Sequence, residues 1–398
     1  MTERIYYTDP YATEFDATIV RIDPVADNPA HRGVVLDRTA FYPTSGGQPF
    51  DTGTLGDARI VDVVDRDDGS ILHVFEGAAP AGSVRGLIDW ERRFDHMQQH
   101  TGQHVLSAAF DRFAGARTVS FHLGTASATI DLAKEVSREA IDRAEIEANR
   151  VVWEDRPVAI RFVSAEEAAG LPLRKEPVRG GELRLIDVEN FDLSACGGTH
   201  VARTGAIGII AVSGWERFRG GSRVEFKCGG RALSGFRAFR DSMADCTRLF
   251  SVLPAEVPSA IERLQGEGRE LKRRNKDLQA KVAAVEAADL ASTAENVGAV
   301  ALVAASLEGW DANSLKLIAS HIVERSGHVA ILFGMPAPAA VVTARSADLR
   351  IDSAALLKQL TARFGGKGGG RPELSQGGGL NGSGPEMIAF ARSMLSGG

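Results

Sequence analysis

The chain has 398 residues, which at about 150 residues per domain predicts two to three domains. It carries 46 lysines and arginines against 52 aspartates and glutamates, a formal net charge of −6, and 44% of its residues are hydrophobic. This composition is globular and excludes a disordered or collagen-like chain. Apolar runs are too short for a membrane helix, the N-terminus has no apolar signal region, and three cysteines are too few for a disulfide framework. We therefore predict a cytoplasmic protein without a membrane partner.

The first ninety residues predict a small β-barrel. Apolar residues alternate over positions 15–22, and two further apolar runs, 58–64 and 71–75, flank Asp68-Gly69, a dipeptide typical of hairpin turns. Several short strands with glycine-rich turns are typical of a barrel. Residues 1–90 are therefore assigned to a barrel-like domain.

Residues 91–250 predict an α+β domain. From Trp90 the apolar period becomes that of a helix, which ends near Gly115. A second helix is predicted over residues 137–152, with Ser137 as its N-cap. Short apolar runs between these helices and after the second one predict strands, and mixed elements of this kind indicate an α+β domain.

The remaining chain predicts a helical segment, 251–295, and a small α/β domain, 296–398. In the helical segment four apolar side chains fall on heptad position d: Leu264, Leu271, Leu278 and Val285. This spacing predicts a coiled coil or helical hairpin, with a solvated surface helix as the alternative. After residue 295, strands alternate with helices. The fold class predicted for the whole chain is multidomain, with α/β and α+β parts and an N-terminal barrel.

A set of histidines and one cysteine has the spacing of a metal site. His96, His100 and His104 lie four residues apart in the first predicted helix, so they share one face. Far downstream, Cys196 and His200 are separated by Gly-Gly-Thr, which lets the chain turn sharply. A His-x3-His pair with a Cys-x3-His pair suits zinc, so we predict one Zn²⁺ per chain. Spacing alone leaves open which two helix histidines bind it.

The segments around these residues resemble a known family. His100-Thr-Gly-Gln-His104 and Cys196-Gly-Gly-Thr-His200 are similar to the metal motifs of the editing domain shared by alanyl-tRNA synthetases and free-standing alanyl-tRNA editing proteins, the AlaX family. The loop FYPTSGGQP, followed by DTG, is similar to the glycine-rich motif that precedes this editing core. The glycine-rich tail is similar to the DHH-associated domain of the long form. The resemblance implies His100, His104, Cys196 and His200 as the zinc ligands.

The resemblance implies an aminoacyl-tRNA deacylase. Such an enzyme hydrolyses the ester between a wrong amino acid and alanine tRNA. Serine is the expected cargo and glycine the second, because a pocket sized for alanine excludes neither well by binding alone. Thr44 and Gln48 are implied as catalytic residues of the pocket that could bind the serine hydroxyl or the attacking water; for Thr44 a plain turn residue is the alternative. Gln48 has no titratable group and cannot be a strong base.

The role of the zinc stays open among three possibilities. Four protein ligands describe a closed site, whereas a catalytic zinc usually keeps an open position. The ion could become five-coordinate and activate water, or lose a ligand when substrate arrives. It could also bind only the amino group of the substrate and organise the pocket, which is the alternative we favour.

Local basic residues are candidates for contact with tRNA(Ala), the expected partner when it carries serine or glycine. Between positions 216 and 248 the chain has eight basic residues and four acidic ones, and this local positive charge suits contact with the phosphate backbone. Two more lie among glycines of the tail whose amides could bind phosphates. A solvated helix face and a flexible loop are the respective alternatives. The candidates for tRNA contact are Arg217, Arg219, Arg223, Lys367 and Arg371.

Other functions remain as alternatives. A catalytically inactive, zinc-stabilised RNA-binding protein would need only the metal ligands, and a phosphoesterase would need an Asp-His-His motif that the sequence lacks. The resemblance also admits nucleotide (ATP) binding. Because the sequence begins directly with the barrel-like segment, we expect no aminoacylation activity. A homodimer through the heptads or the C-terminal domain is a further expectation.

Overall fold

The computed structural model describes residues 1–25, 32–174 and 181–396. The chain divides into two compact units, Met1–Cys246 and Thr247–Gly398. The predicted fold class is confirmed, because the chain combines an N-terminal barrel, mixed helices and strands, a long helix and a C-terminal sheet. Among the described residues, no helix combines the length and the apolar character that crossing a membrane requires.

The first unit begins with a closed six-stranded barrel in the order β2-β3-β7-β6-β5-β8. In chain order the elements are β1 (Glu3–Arg4), α1 (Ile5–Thr8), β2 (Glu14–Pro24), β3 (Arg32–Leu36), β4 (Arg38–Thr39), β5 (Gly53–Leu55), β6 (Ala58–Asp65), β7 (Ile71–Glu76) and β8 (Ser83–Ile88). Alternate residues of β8 are buried, as the period of a half-buried strand requires. The predicted turn at Asp68-Gly69 joins β6 to β7, and Gly69 takes the left-handed φ of 78°.

The rest of the first unit packs two sheets with helices. Its elements are α2 (Trp90–Ala114), β9 (Thr118–Leu123), β10 (Ala128–Leu132), α3 (Arg138–Trp153), β11 (Val158–Val163), α4 (Ala165–Ala169), β12 (Leu183–Val188), β13 (Asp192–Ala195), β14 (Ile210–Phe218), β15 (Gly221–Cys228) and α5 (Gly229–Phe250). The sheets have the strand orders β14-β15-β10-β9 and β11-β12-β13. A short 3-10 helix spans Thr204–Ile207.

Helix α2 is largely buried in this unit, and it begins at Trp90 and ends before Gly115, as predicted. The Asp89 side chain accepts a hydrogen bond from the Arg92 amide at the N-terminus. Gly115 ends the helix with a left-handed φ of 57°. Met97, Leu106 and many of their neighbours are buried in the core. The predicted second helix is likewise found as α3, with Ser137 as its N-cap.

The second unit contains a long helix and a six-stranded sheet. Its elements are α6 (Val257–Ser292), β16 (Glu295–Val297), β17 (Val300–Glu308), α7 (Ala312–Val323), β18 (His328–Met335), β19 (Ala339–Arg345), α8 (Ser353–Phe364), β20 (Lys367–Gly370), β21 (Leu374–Leu380) and α9 (Gly384–Ser396). The sheet order is β16-β17-β18-β19-β21-β20, and only β17 and β18 pair in parallel. A short 3-10 turn spans Pro254–Glu256.

The long helix α6 is continuous, and its two ends differ in burial. Near its C-terminal end Ala283, Ala287 and Ala291 are buried against the core of the second unit. The four residues at heptad position d are exposed: Leu264, Leu271, Leu278 and Val285. The coiled coil and the homodimer therefore stay predictions.

The glycine-rich tail forms strands rather than a loop. Strand β20 pairs antiparallel with β21, so Gly368 lies opposite Gly377 across the ladder. A Cβ atom on Gly368 would lie 2.6 Å from the Cα of Gly377 and 2.6 Å from the carbonyl oxygen of Gln376. The glycines are therefore explained by the close approach of two backbones.

Candidate functional site

Four side chains from distant parts of the chain come together in the first unit. His100 and His104 lie on α2, and Cys196 and His200 follow β13. One ligand atom from each residue lies within 4.8 Å of the others. The Cys196 sulfur is 3.3 Å from Nε2 of His100 and 3.3 Å from Nε2 of His200. This cluster could hold a metal ion.

Each histidine of the cluster has a partner on the Nδ1 side of its ring. The Nδ1 of His100 is 2.8 Å from Oε1 of Gln48, and that of His104 is 2.9 Å from a carboxylate oxygen of Asp192. The Nδ1 of His200 is 3.2 Å from the Thr101 hydroxyl oxygen. These contacts orient the three rings and leave their Nε2 atoms for a metal.

The loop between Cys196 and His200 allows close approach only because it contains glycine. A Cβ atom on Gly198 would lie 2.2 Å from Cε1 of His100, so any side chain there would displace that ring. The Gly198 amide donates to the Cys196 sulfur at 3.4 Å. Glycine is therefore required at position 198, the second of the Gly-Gly pair, because a larger residue would collide with the His100 ring.

The charges around the cluster favour the ligand forms of its side chains. Burial and the neighbouring His100 keep the pKa of His200 well below its usual value, so its imidazole is neutral. Burial alone would raise the pKa of the Cys196 thiol, but the hydrogen bond from His104 and the charges of His104 and Arg184 outweigh it, and the pKa lies below its usual value. Asp192 likewise keeps its charge although it is buried, because His104 and Arg174 lower its pKa.

A cavity of about 500 Å³ opens beside the cluster. His100, His104 and Cys196 form part of its wall, together with Gln103 of α2 and Arg184 of β12. Arg184 is 8% exposed; its Nε donates to the Tyr7 carbonyl and its Nη1 to the Cys196 carbonyl, at 2.9 and 2.6 Å. Its Nη2 finds no hydrogen-bond partner within the described chain. The cavity therefore combines a possible metal centre with a buried positive charge.

The two predicted catalytic residues do not line this cavity in the part of the chain that the structure describes. Gln48 is buried behind His100, where its Nε2 donates to the Thr199 hydroxyl at 2.8 Å and its Oε1 accepts from the Thr199 amide at 3.1 Å. Thr44 is exposed, and its hydroxyl accepts from the Phe50 amide at 3.2 Å. A catalytic role for either residue stays a prediction.

His96 lies apart from the four clustered residues, one helical turn before His100. It is buried, and its Nδ1 has no hydrogen-bond partner among the residues described. Burial, with the charge of Arg92 nearby, lowers its pKa to about 3, so the ring is neutral.

The predicted tRNA contacts fall in two hairpins. Arg217 forms an ion pair with Glu135 at 3.0 Å, and Arg223 forms one with Asp131 at 2.7 Å, both on the hairpin of β14 and β15. Arg219 lies in the turn of the same hairpin, its guanidinium 5.0 Å from the centre of the Phe218 ring. The other two candidates, Lys367 and Arg371, are exposed at the β20–β21 hairpin of the second unit.

Several residues of the site were not identified from the sequence. Asp192 precedes Cys196 in the segment that resembles the family, but its contact with His104 has no signal in the spacing. Thr101 and Gln103 lie between the two helix ligands, and Arg184 lies on a strand. The motif contains Thr101 and Gln103, but its spacing gives a role only to its two histidines. Thr101 contacts His200 and Arg184 contacts Tyr7 across long stretches of chain, and such contacts leave no local signal.

Comparison with known proteins agrees with this geometry. Residues 299–397 match the DHHA1 domain, and residues 183–225 match the Threonyl and Alanyl tRNA synthetase second additional domain. The chain is 32% identical to "Alanyl-tRNA editing protein AlaX-L" of Pyrococcus horikoshii over 391 residues, 95% of this chain and 94% of that protein. It is also 32% identical to "Alanine--tRNA ligase" of Pyrococcus abyssi over 94% of this chain, but it spans only 42% of that ligase.

A solved structure, the C-Ala domain from Aquifex aeolicus alanyl-tRNA synthetase, matches 26% of this chain and 99% of its own at 24% identity, with a TM-score of 0.25. At that score the likeness is too low to assign a fold.

Proposed function

This chain belongs to the family of alanyl-tRNA editing proteins, and we therefore propose that it acts in editing of alanine tRNA. In the finer form of the proposal it is a deacylase that hydrolyses the ester of tRNA(Ala) carrying serine, with glycine as the second cargo. The observation that carries the proposal is the likeness to an editing protein over nearly the whole of both chains, with the clustered motif residues beside a cavity.

The metal of the proposal is zinc. Its support is the donor set, three imidazole nitrogens and one cysteine sulfur, which is typical of tetrahedral zinc. Zinc–sulfur and zinc–nitrogen bonds of about 2.3 and 2.0 Å place such atoms roughly 3.5 Å apart in a tetrahedron. This is close to the 3.3 Å from the Cys196 sulfur to Nε2 of His100 and to Nε2 of His200. When bound, zinc supplies a positive charge to substrate groups at the cavity wall. With four protein ligands, we favour an organising and anchoring role.

The protein side chains of the cavity suit ester hydrolysis. Attack of water on an ester builds negative charge on the carbonyl oxygen, and hydrogen-bond donors in a dry site stabilise that charge. Arg184 lines the cavity, its hydrogen bonds go to the carbonyls of Tyr7 and Cys196, and no carboxylate of the described chain pairs with its positive charge. We assign Arg184 to electrostatic stabilisation of the charge that forms on the carbonyl oxygen of the ester, through its positive charge at the cavity wall, and Gln48 to the orientation of His100.

The basic hairpins are proposed as tRNA contacts. Arg217 has a side chain that is 85% exposed, so its ion pair with Glu135 can exchange for a phosphate at little cost. Lys367 and Arg371 supply further positive charge in the second unit. Such contacts position the nucleic acid and are weakened by salt.

The test is deacylation of seryl-, glycyl- and alanyl-tRNA(Ala), with and without a zinc chelator. The intact chain should release serine and glycine and spare alanine. Cys196→Ala and His104→Ala should each remove bound zinc and reduce the rate at least a hundredfold, because each deletes a proposed ligand. Cys246→Ala is the matched control, because Cys246 is a free cysteine outside the cluster. It should leave the zinc content and the deacylation rate unchanged.

Two outcomes would contradict the proposal. Full activity after complete loss of zinc would remove any functional role for the metal. Absence of deacylation by a zinc-loaded chain that still binds tRNA would favour the non-catalytic RNA-binding protein.

A further inference from the structure

One residue of the cavity wall has a side-chain amide in which only one of the two polar atoms has a hydrogen-bond partner within the described chain. Gln103 lies on α2 between His100 and His104, is 7% exposed, and lines the cavity. Helix periodicity places it on the face that also carries His100, three residues earlier. Its amide group is therefore close to the metal cluster and faces the space that a substrate would occupy.

Two hydroxyl groups fix the position of the Gln103 amide. Its Nε2 donates to the Ser107 hydroxyl oxygen at 2.8 Å, and the Thr118 hydroxyl donates to the same oxygen at 2.8 Å. Ser107 is fully buried and Thr118 lines the cavity. Because its supports are packed, the amide of Gln103 has a defined position before any ligand binds.

The other amide atom, Oε1, has no hydrogen-bond partner among the described residues. It is also not sealed from solvent: the sealed and unpaired side-chain atoms in the described chain belong to Tyr6, His96, Arg184 and Ser346. Since Gln103 is buried except where it lines the cavity, this free atom faces the cavity.

The amino acids that compete at such a site differ in one hydroxyl group. Serine has a hydroxyl that both donates and accepts, whereas alanine and glycine have no polar side-chain atom. A hydroxyl would therefore pair with the free atom of the Gln103 amide in either orientation of that amide. An alanine methyl group would leave the amide atom buried and unpaired, which is the basis of strong discrimination between such substrates.

We propose that Gln103 is the specificity-determining residue that recognises the side-chain hydroxyl of the seryl group. This inference rests on the proposed function. Serine is hydrolysed in preference to alanine because only serine completes the hydrogen bonding of the Gln103 amide. The same contact makes serine a better substrate than glycine.

The first experiment compares kcat/KM for seryl- and alanyl-tRNA(Ala) in Gln103→Met, which keeps the length of the side chain but removes its polar atoms. We expect the serine-to-alanine ratio to fall tenfold to a hundredfold, while zinc content stays at one per chain. Ser107→Ala, which removes the support of the amide, should lower the ratio by less. Gln98→Met is the matched control: Gln98 lies on the same helix, bonds the Ala206 carbonyl, and does not line the cavity within the described chain. Its ratio should be unchanged.

A second experiment uses the unaltered chain and does not depend on the folding of a variant. Adenosine analogues that carry seryl or alanyl on a 3′-amide cannot be hydrolysed as esters. The seryl analogue should inhibit deacylation at a concentration at least tenfold below the alanyl analogue. Equal inhibition, or an unchanged substrate ratio in a zinc-loaded Gln103→Met chain, would overturn the role of Gln103. Failure of the unaltered chain to hydrolyse any of the esters would instead overturn the proposed function.

Discussion

At the scale of single residues, the side chains behind the metal cluster hold its histidine rings in position. Gln48 contacts the Nδ1 of His100 through the same oxygen that accepts from the Thr199 amide, so one buried amide links a ligand on α2 to the loop that carries His200. Asp192 contacts the Nδ1 of His104, and its other carboxylate oxygen forms an ion pair with Arg174 at 2.5 Å. Outer partners of this kind fix ring orientation and increase metal affinity.

We predict that Gln48→Met weakens zinc binding about tenfold to a hundredfold, because the Nδ1 of His100 loses its partner. Deacylation should fall in parallel and return when zinc is added to saturation. The measurement is a competition titration of zinc with a chromophoric chelator, combined with rates at each metal occupancy. Gln99→Met is the control, since Gln99 is a buried amide that bonds Cys228 instead of a ligand. A rate that stays low at full zinc occupancy would show that Gln48 acts on the substrate.

At the scale of elements, α2 joins the barrel to the site. Arg93 in its first turns is fully buried and pairs with Asp51 of the glycine-rich motif, while its other donors bond the carbonyls of Pro10 and Ala40. Asp51 in turn accepts from the Tyr42 amide at 2.7 Å. The ion pair therefore ties the motif loop that carries Gln48 to the helix that carries two of the proposed ligands.

We expect Arg93→Met to destabilise the first unit by about 3–5 kcal/mol, because it leaves the Asp51 charge buried without its partner. The free energy of unfolding can be followed in urea by tryptophan fluorescence, since three of the four tryptophans lie in this unit. Arg85→Met is the matched control; its ion pair with Glu14 is exposed and should contribute less than about 1 kcal/mol. Equal effects of the two substitutions would refute a structural role for the buried pair.

At the scale of the whole molecule, two units with separate cores carry the candidate tRNA contacts on two hairpins. A chain of net charge −6 repels RNA on average, so local basic residues must supply the attraction. In the first unit two of the three candidates are paired with carboxylates. In the second, neither Lys367 nor Arg371 forms an ion pair within residues 1–25, 32–174 and 181–396.

The double variant Lys367→Glu, Arg371→Glu should raise KM for seryl-tRNA(Ala) and leave kcat unchanged. The slope of log binding constant against log salt should become shallower by about 0.7–0.9 for each phosphate that the variant no longer binds. Filter binding at several salt concentrations measures this slope. Lys316→Glu is the control, an exposed lysine on α7 of the same unit that changes charge without being a proposed contact. An unaltered slope in the double variant would exclude these two residues from the interface.

Much of the fold could be predicted because its signals are local. The helix from Trp90 to Ala114 has an apolar period, an aspartate cap and a terminal glycine, all within one segment. The hairpin at Asp68-Gly69 has its turn chemistry in two residues. The β20–β21 hairpin was missed, because polyglycine has no side chains to show the period of a strand, and only the pairing of the two segments explains it.

The amino-acid sequence was sufficient to show which residue types could form a metal site, since His-x3-His on one helix face and Cys-x3-His around two glycines are spacings that short-range geometry controls. It also carried the likeness that the family comparison confirms. The folded chain was needed to show that His100 and His104, without His96, meet Cys196 and His200, that Gln48 lies behind a ligand, and that Gln103 faces the cavity. These are contacts between segments some 50 to 150 residues apart or choices of helix face, and packing sets both, whereas local spacing does not.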